Sequence, residues 1–182
     1  MCSFDEPQPN GRDKTRSLPK VVLVVGYKKV GKTTLIEKLI PELTRRGYRV
    51  GTVKRHHSDA PIEMDTPGKD SWRHRKAGAE KVVLVTPKNI AIFCEANEFA
   101  SLDQILENFM DMDIVLVEGF HREAKPKIEI RDADRPQGLC ARDKNLLAIV
   151  EQAPSEETVP SFKPSSIRPL ADLIARQMLT RE

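Results

Sequence analysis

Gly26-Tyr27-Lys28-Lys29-Val30-Gly31-Lys32-Thr33 matches G-x-x-x-x-G-K-[ST] without a gap. Before it runs Val21-Val22-Leu23-Val24-Val25, a β-branched apolar run of buried-strand type. After it, Thr34-Leu35-Ile36-Glu37-Lys38-Leu39-Ile40 places apolar residues at helical spacing. Strand, glycine loop and helix form the context in which this pattern binds phosphate. The glycines let the backbone wrap so that several N–H groups point inward, and the helix start adds partial positive charge. Lys32 is expected to reach the β- and γ-phosphates, and the Thr33 hydroxyl to bind Mg²⁺. Residues Gly26 through Thr34 are thus the expected nucleotide cradle.

The rest of the chain fits one α/β nucleotide-binding domain. It has 182 residues, enough for a sizeable core. Strands and helices alternate. This pattern implies a mostly parallel sheet with helices on both faces, the three-layer P-loop NTPase arrangement. Helices are expected at Lys32 to Arg46, Asp70 to Lys76, Leu102 to Met110 and Ser166 to Thr180. Ser101 and Gln104 form a capping box before the third. Strands are expected at Val21 to Val25, Arg49 to Lys54, Lys81 to Thr86, Ile90 to Cys94 and Ile114 to Val117. Lys127 to Ile130 alternates apolar and charged residues and reads as an edge strand, and Leu146 to Val150 as the last strand. Residues 1–19 are polar, with Pro7, Pro9 and Pro19, and read as a disordered leader without a secretory signal. Residues 20–182 read as a single domain.

Composition excludes several classes. Mean hydropathy is −0.45 and no apolar run approaches the ~20 residues of a membrane span. Thirty basic against 27 acidic residues, net +3, gives weak grounds for nucleic-acid binding. The three cysteines lie far apart with no C-x-x-C pair, so neither a disulfide framework nor a structural zinc site is indicated. A cytoplasmic protein with reduced thiols is the expectation.

A P-loop needs an acidic partner for its metal, usually at the carboxyl end of a neighbouring buried strand. Ile114-Val115-Leu116-Val117-Glu118-Gly119 supplies Glu118. Asp113 is the rival, but it begins the same strand, about 16 Å away at the wrong edge of the sheet. Glu118 is the expected metal or catalytic-water residue, with Gly119 close to the γ-phosphate. Lys54, His56 and His57 leave the second strand at the same edge, followed by Asp65, Gly68, Asp70, Arg73, Arg75 and Lys76. Lys54 and His57 are candidate nucleotide contacts, and Asp65 a further contact and metal ligand. Adjacent histidines point in different directions and make a poor bidentate metal pair. The other reading of Arg73, Arg75 and Lys76 is a solvated basic helix face, which fits Arg75 and Lys76 equally well.

With these residues laid out, the chain resembles the MobB family, the molybdopterin-guanine dinucleotide biosynthesis adaptor proteins. The resemblance covers about Lys20 to Met178. It rests on the P-loop, the Thr52-Val53-Lys54 strand end with its histidines, the Asp65-x-x-Gly68-x-Asp70-Ser71-x-Arg73 segment running into Lys76-Ala77-Gly78-Ala79, and Val117-Glu118-Gly119-Phe120. It implies a P-loop GTP-binding protein of the SIMIBI type, commonly dimeric, with weak GTPase activity. Such a protein assists the MobA-type guanylyltransferase that attaches GMP to molybdopterin, so molybdopterin is a possible ligand. One departure is that Arg55 stands where the family often has the first His of Lys-His-x-His. No N-K-x-D motif occurs, so guanine preference rests on the resemblance alone. Two other readings stay open. A metal-delivery GTPase of the urease or hydrogenase accessory kind would need soft ligands at close spacing. A small-molecule kinase would need an arginine-bearing lid, for which Arg122, Arg131, Arg135 and Arg142 are candidates.

Overall fold

The computed structural model describes residues 18–56, 66–94, 101–135, 137–140, 142–153 and 159–179. In chain order the elements are β1 (Lys20–Val25), α1 (Lys32–Arg45), β2 (Val50–Lys54), α2 (Asp70–Lys76), β3 (Lys81–Val85), β4 (Ile90–Cys94), α3 (Leu102–Leu106), β5 (Ile114–Glu118), β6 (Lys127–Ile130), β7 (Leu146–Val150), β8 (Ser161–Phe162) and α4 (Ile167–Ile174). Two compact units result, one of Met1–Arg55 with Phe109–Glu182, the other of His56–Asn108.

The first unit is built on a six-stranded sheet in the order β2-β5-β1-β6-β7-β8, with every neighbouring pair parallel. Residues 21–25 of β1 are all buried, as a parallel strand covered on both sides must be. One face carries Val22, Val24, Ile114, Leu116, Ile128, Ile130, Ala148 and Val150. These pack with Leu35, Ile36, Leu39 and Leu43 of α1 and Leu170, Ala171, Leu173 and Ile174 of α4. The alternate residues Val21, Leu23, Val115 and Val117 are buried as well. α1 closes at Gly47 (φ 88°), whose N–H donates to Thr44 O while the N–H of Tyr48 donates to Leu43 O. This is a Schellman ending, which requires the left-handed residue that glycine supplies.

The second unit holds α2, the antiparallel β3–β4 hairpin and α3. The hairpin turn is tied by Thr86, whose N–H donates to Asn89 O and whose hydroxyl accepts from Asn89 N at 2.9 Å. The expected capping box starts α3, with the Ser101 hydroxyl accepting from Gln104 N and the Gln104 side chain accepting from Ser101 N.

Four expectations are corrected. β6 lies inside the sheet between β1 and β7, not at its edge, and all four of its residues are buried. Its two charged side chains are paired, which makes that burial possible. β7 is not the last strand, because Ser161–Phe162 adds β8 beside it. The third helix is α-helical only over Leu102–Leu106 and tightens into a 3₁₀ turn at Glu107–Phe109. The last helix widens into a π turn over Ala175–Leu179. The expected leader falls on residues that, apart from Leu18 and Pro19, lie outside the described ones.

Candidate nucleotide site

The sheet register brings the site together. Val24 pairs with Glu118, and Glu118 pairs in turn with Lys54, so the ends of β1, β5 and β2 lie side by side. The glycine loop leaves β1 one residue later. Gly26 (φ 146°) sits so close to the neighbouring strand that a Cβ there would lie 2.5 Å from Ile130 O. Gly31 also has a positive φ, 99°, and its carbonyl accepts from Leu35 N to start α1. The loop is therefore a tight wrap that side chains at these two positions would prevent.

Lys32 arches back over this loop. Its Nζ donates to Gly26 O at 3.0 Å and to Tyr27 O at 2.7 Å. Burial holds its pKa below the ordinary lysine value. The Glu118 carboxylate opposes that shift, and the Lys54 ammonium adds to it. One residue on, Thr33 Oγ1 donates to Glu118 Oε2 at 2.9 Å. Lys54 Nζ lies 3.6 Å from the same oxygen. A lysine over the loop, a hydroxyl, a carboxylate and a second lysine thus converge at the carboxyl edge of a parallel sheet, where such folds bind ligands.

The hydroxyl of Thr33 and the carboxylate of Glu118 fit a magnesium ion by their chemistry. Mg²⁺ takes one or two protein oxygens and completes its shell with water and phosphate. When bound, the ion would neutralise charge between the β- and γ-phosphates. Among the described residues no three His, Cys, Asp or Glu side chains form a metal cluster.

Other candidates are distributed differently. Asp113 is at the opposite end of β5, where its Oδ2 accepts from Arg49 N at 2.7 Å and its carbonyl accepts from Lys20 N. Gly119 (φ 98°) spends its N–H on Val24 O. His57 and Asp65 lie outside the described residues. In the second unit, Arg73 approaches Asp70 at 3.7 Å, Arg75 lies over Phe93 and Lys76 over Trp72. Of the arginines considered for a lid, Arg131 is buried in an ion pair with Glu129, and Arg122 is exposed.

Two features escape sequence reasoning. Arg135 stacks on Tyr27 of the glycine loop, 4.4 Å from the ring centroid. Beneath the loop, β6 buries charge. Glu129, paired in register with Val25, accepts from Arg131 Nε at 2.9 Å and from the N–H groups of Leu139 and Cys140. Lys127 Nζ bonds Asp143 Oδ2 and Glu123 O, both at 2.6 Å. The only signal in the sequence is the alternation Lys127-Ile128-Glu129-Ile130-Arg131, which an edge strand would also give.

The comparisons agree with this architecture. The family model described as MobB, molybdopterin guanine dinucleotide synthesis protein B, matches residues 21–152. A molybdopterin-guanine dinucleotide biosynthesis adapter protein of Haemophilus influenzae is 39% identical over 153 residues, 83% of this chain and 85% of that protein. Its counterpart in Escherichia coli is 37% identical over 155 residues, 81% and 87% of the two chains. A crystal structure of molybdopterin-guanine biosynthesis protein B superposes with a TM-score of 0.71 at 29% identity, covering 88% of this chain and 99% of that one. The matched span takes in the glycine loop, Lys54, Glu118 and the buried charges of β6, and by it the chain belongs to the MobB family.

Proposed function

We propose that this chain is a GTP-binding adapter that assists conversion of molybdopterin to molybdopterin guanine dinucleotide. The observation that carries the reading is the convergence of Lys32, Thr33, Glu118 and Lys54 at one edge of the sheet. Its relatives' description as adapters in this biosynthesis supplies the pathway. Gly26 through Thr34 would cradle the phosphates, with Lys54, His57 and Gly119 beside them. Thr33, Glu118 and Asp65 would hold Mg²⁺. Hydrolysis would be weak.

That partner is a MobA-type guanylyltransferase, and molybdopterin is a possible second ligand. Val83, Val85, Ile90 and Ile92 support a homodimer, because they are half or more exposed and stand opposite one another on the β3–β4 hairpin. We place the protein in the cytoplasm, in keeping with its lack, among the described residues, of any helix long and apolar enough to cross a membrane. Neither a nucleic acid nor a membrane enters the proposal.

The test is genetic and biochemical. Deleting the gene in its host should lower the activity of enzymes that use the guanine dinucleotide cofactor and spare those that do not. The purified protein should capture the guanylyltransferase. Normal molybdoenzyme activity in the deletion strain, with no capture whether GTP is present or absent, would overturn the assignment.

A further inference from the structure

We propose that Arg55 contacts the γ-phosphate and neutralises the charge that develops there during GTP hydrolysis, supplied from within the chain by the end of β2. The inference rests on the GTP-binding reading above. Arg55 directly follows Lys54, and its N–H donates to Glu118 O at 3.1 Å, extending the β2–β5 ladder by one rung. Its stem passes over Gly119, where a Cβ would lie 3.5 Å from Arg55 Cβ. Its guanidinium rests on the Phe120 ring, 5.1 Å from the centroid. Phe120 has a φ of 56°, a left-handed backbone that a bulky residue rarely adopts. Two consecutive residues, Gly119 and Phe120, thus take left-handed turns next to the metal-site carboxylate, and the ring carries an arginine. Among the described residues no carboxylate pairs with Arg55, and its side chain is exposed.

The two lysines already present have their own places in the site. Lys32 is held by loop carbonyls and Lys54 by Glu118. Among the described residues the Arg55 guanidinium has only a stack on an aromatic face, a weak contact at an exposed position that a multiply charged phosphate displaces. A planar guanidinium also suits the reaction. Water oxygen attacks the γ-phosphorus, the bond to the β–γ bridging oxygen breaks, and its electron pair stays on the β-phosphate of GDP. Both protons of the water leave on the released phosphate, as H₂PO₄⁻. In that transition state charge is spread over the equatorial γ-oxygens, which a forked donor meets two at a time. Phe120 holds the arginine near the site without neutralising it.

The experiment uses the full chain with Mg²⁺. Single-turnover GTP hydrolysis is measured alongside equilibrium binding of GTP and of GDP with aluminium fluoride, for the wild type, Arg55→Ala and Arg55→Lys. Arg55→Ala should hydrolyse about 100-fold more slowly. Its GTP affinity should stay within about 3-fold, since the contact is made chiefly in the transition state. It should also lose tight binding of GDP with aluminium fluoride. Arg55→Lys should fall between the two, because it keeps the charge and loses the fork. An Arg55→Ala protein that binds GTP and hydrolyses it at the wild-type rate overturns this inference and leaves the GTP-binding reading standing. A wild type that binds GTP without hydrolysing it also overturns this inference alone. A wild type that does not bind GTP overturns both.

Discussion

Thr33 Oγ1 and Glu118 Oε2 meet at 2.9 Å across 85 positions of chain. One lies in the first turn of α1, the other closes β5. Their meeting follows from the parallel pairing of β1 with β5, which sets Val24 opposite Glu118 and delivers the next turn of backbone to the carboxylate. A hydroxyl and a carboxylate brought together this way could offer two oxygens to one hard cation, and Lys54 lies 3.6 Å from the same carboxylate.

Glu118→Gln keeps the shape of that arrangement and removes its charge. Mg²⁺ enhancement of GTP binding should fall roughly 10–100-fold, measured by titrating nucleotide with and without the ion. Asp113→Asn should change it little, because Asp113 caps Arg49 N at the far end of β5. The reverse pattern would move the metal to the other edge of the sheet.

The buried pair beneath the loop makes a stability prediction. Glu129 and Arg131 have side chains 0% and 1% exposed and share one ion pair. Glu129→Gln takes the carboxylate away from a buried guanidinium, and removing one member of a buried pair costs roughly 3–5 kcal/mol. Urea denaturation should show a loss of that size. A loss below about 1 kcal/mol would mean that water or another group compensates the charge.

Glu42 predicts a pH dependence. Hydrogen bonds from Arg45, then from Arg46, hold its carboxyl down at about 2. An unfolded glutamate titrates near about 4.3. A folded pKa below the unfolded one stabilises the protein above the unfolded value, and the effect disappears as pH falls through the folded one. Glu42→Gln should therefore lower the melting temperature at neutral pH, and the gap from wild type should close between about pH 4 and about pH 2. A gap unchanged at pH 2 would show that the glutamate acts through packing and not through its charge.

Much of this site is legible in the sequence because its signals are local. The glycine spacing, the Val21–Val25 run and the apolar period of α1 lie within 25 residues, and each obeys its own rule. Placing Glu118, and not Asp113, at the glycine-loop end of β5 needed only the length of one strand. β6 is different. Lys127-Ile128-Glu129-Ile130 has the pattern of a half-solvated strand, and its burial depends on partners the pattern does not show: Asp143 for Lys127, and the N–H groups of Leu139 and Cys140 for Glu129. The stack of Arg135 on Tyr27 likewise depends on the β1–β6 pairing that places the two loops together. β8 is two residues long and pairs with β7, too short for any period to register.

Isothermal titration of GTP into the wild type and into Lys32→Ala, with Mg²⁺ present, tests nucleotide binding at the glycine loop most directly. Lys32 faces the loop carbonyls Gly26 O and Tyr27 O and is no part of the apolar core, so the variant should fold as the wild type does, checked by its circular dichroism and melting. The wild type should bind GTP with one site per chain, and the variant should show no detectable binding, because the main cationic contact to the β- and γ-phosphates is gone. A folded Lys32→Ala protein with wild-type affinity for GTP would contradict the assignment of this loop as the nucleotide site.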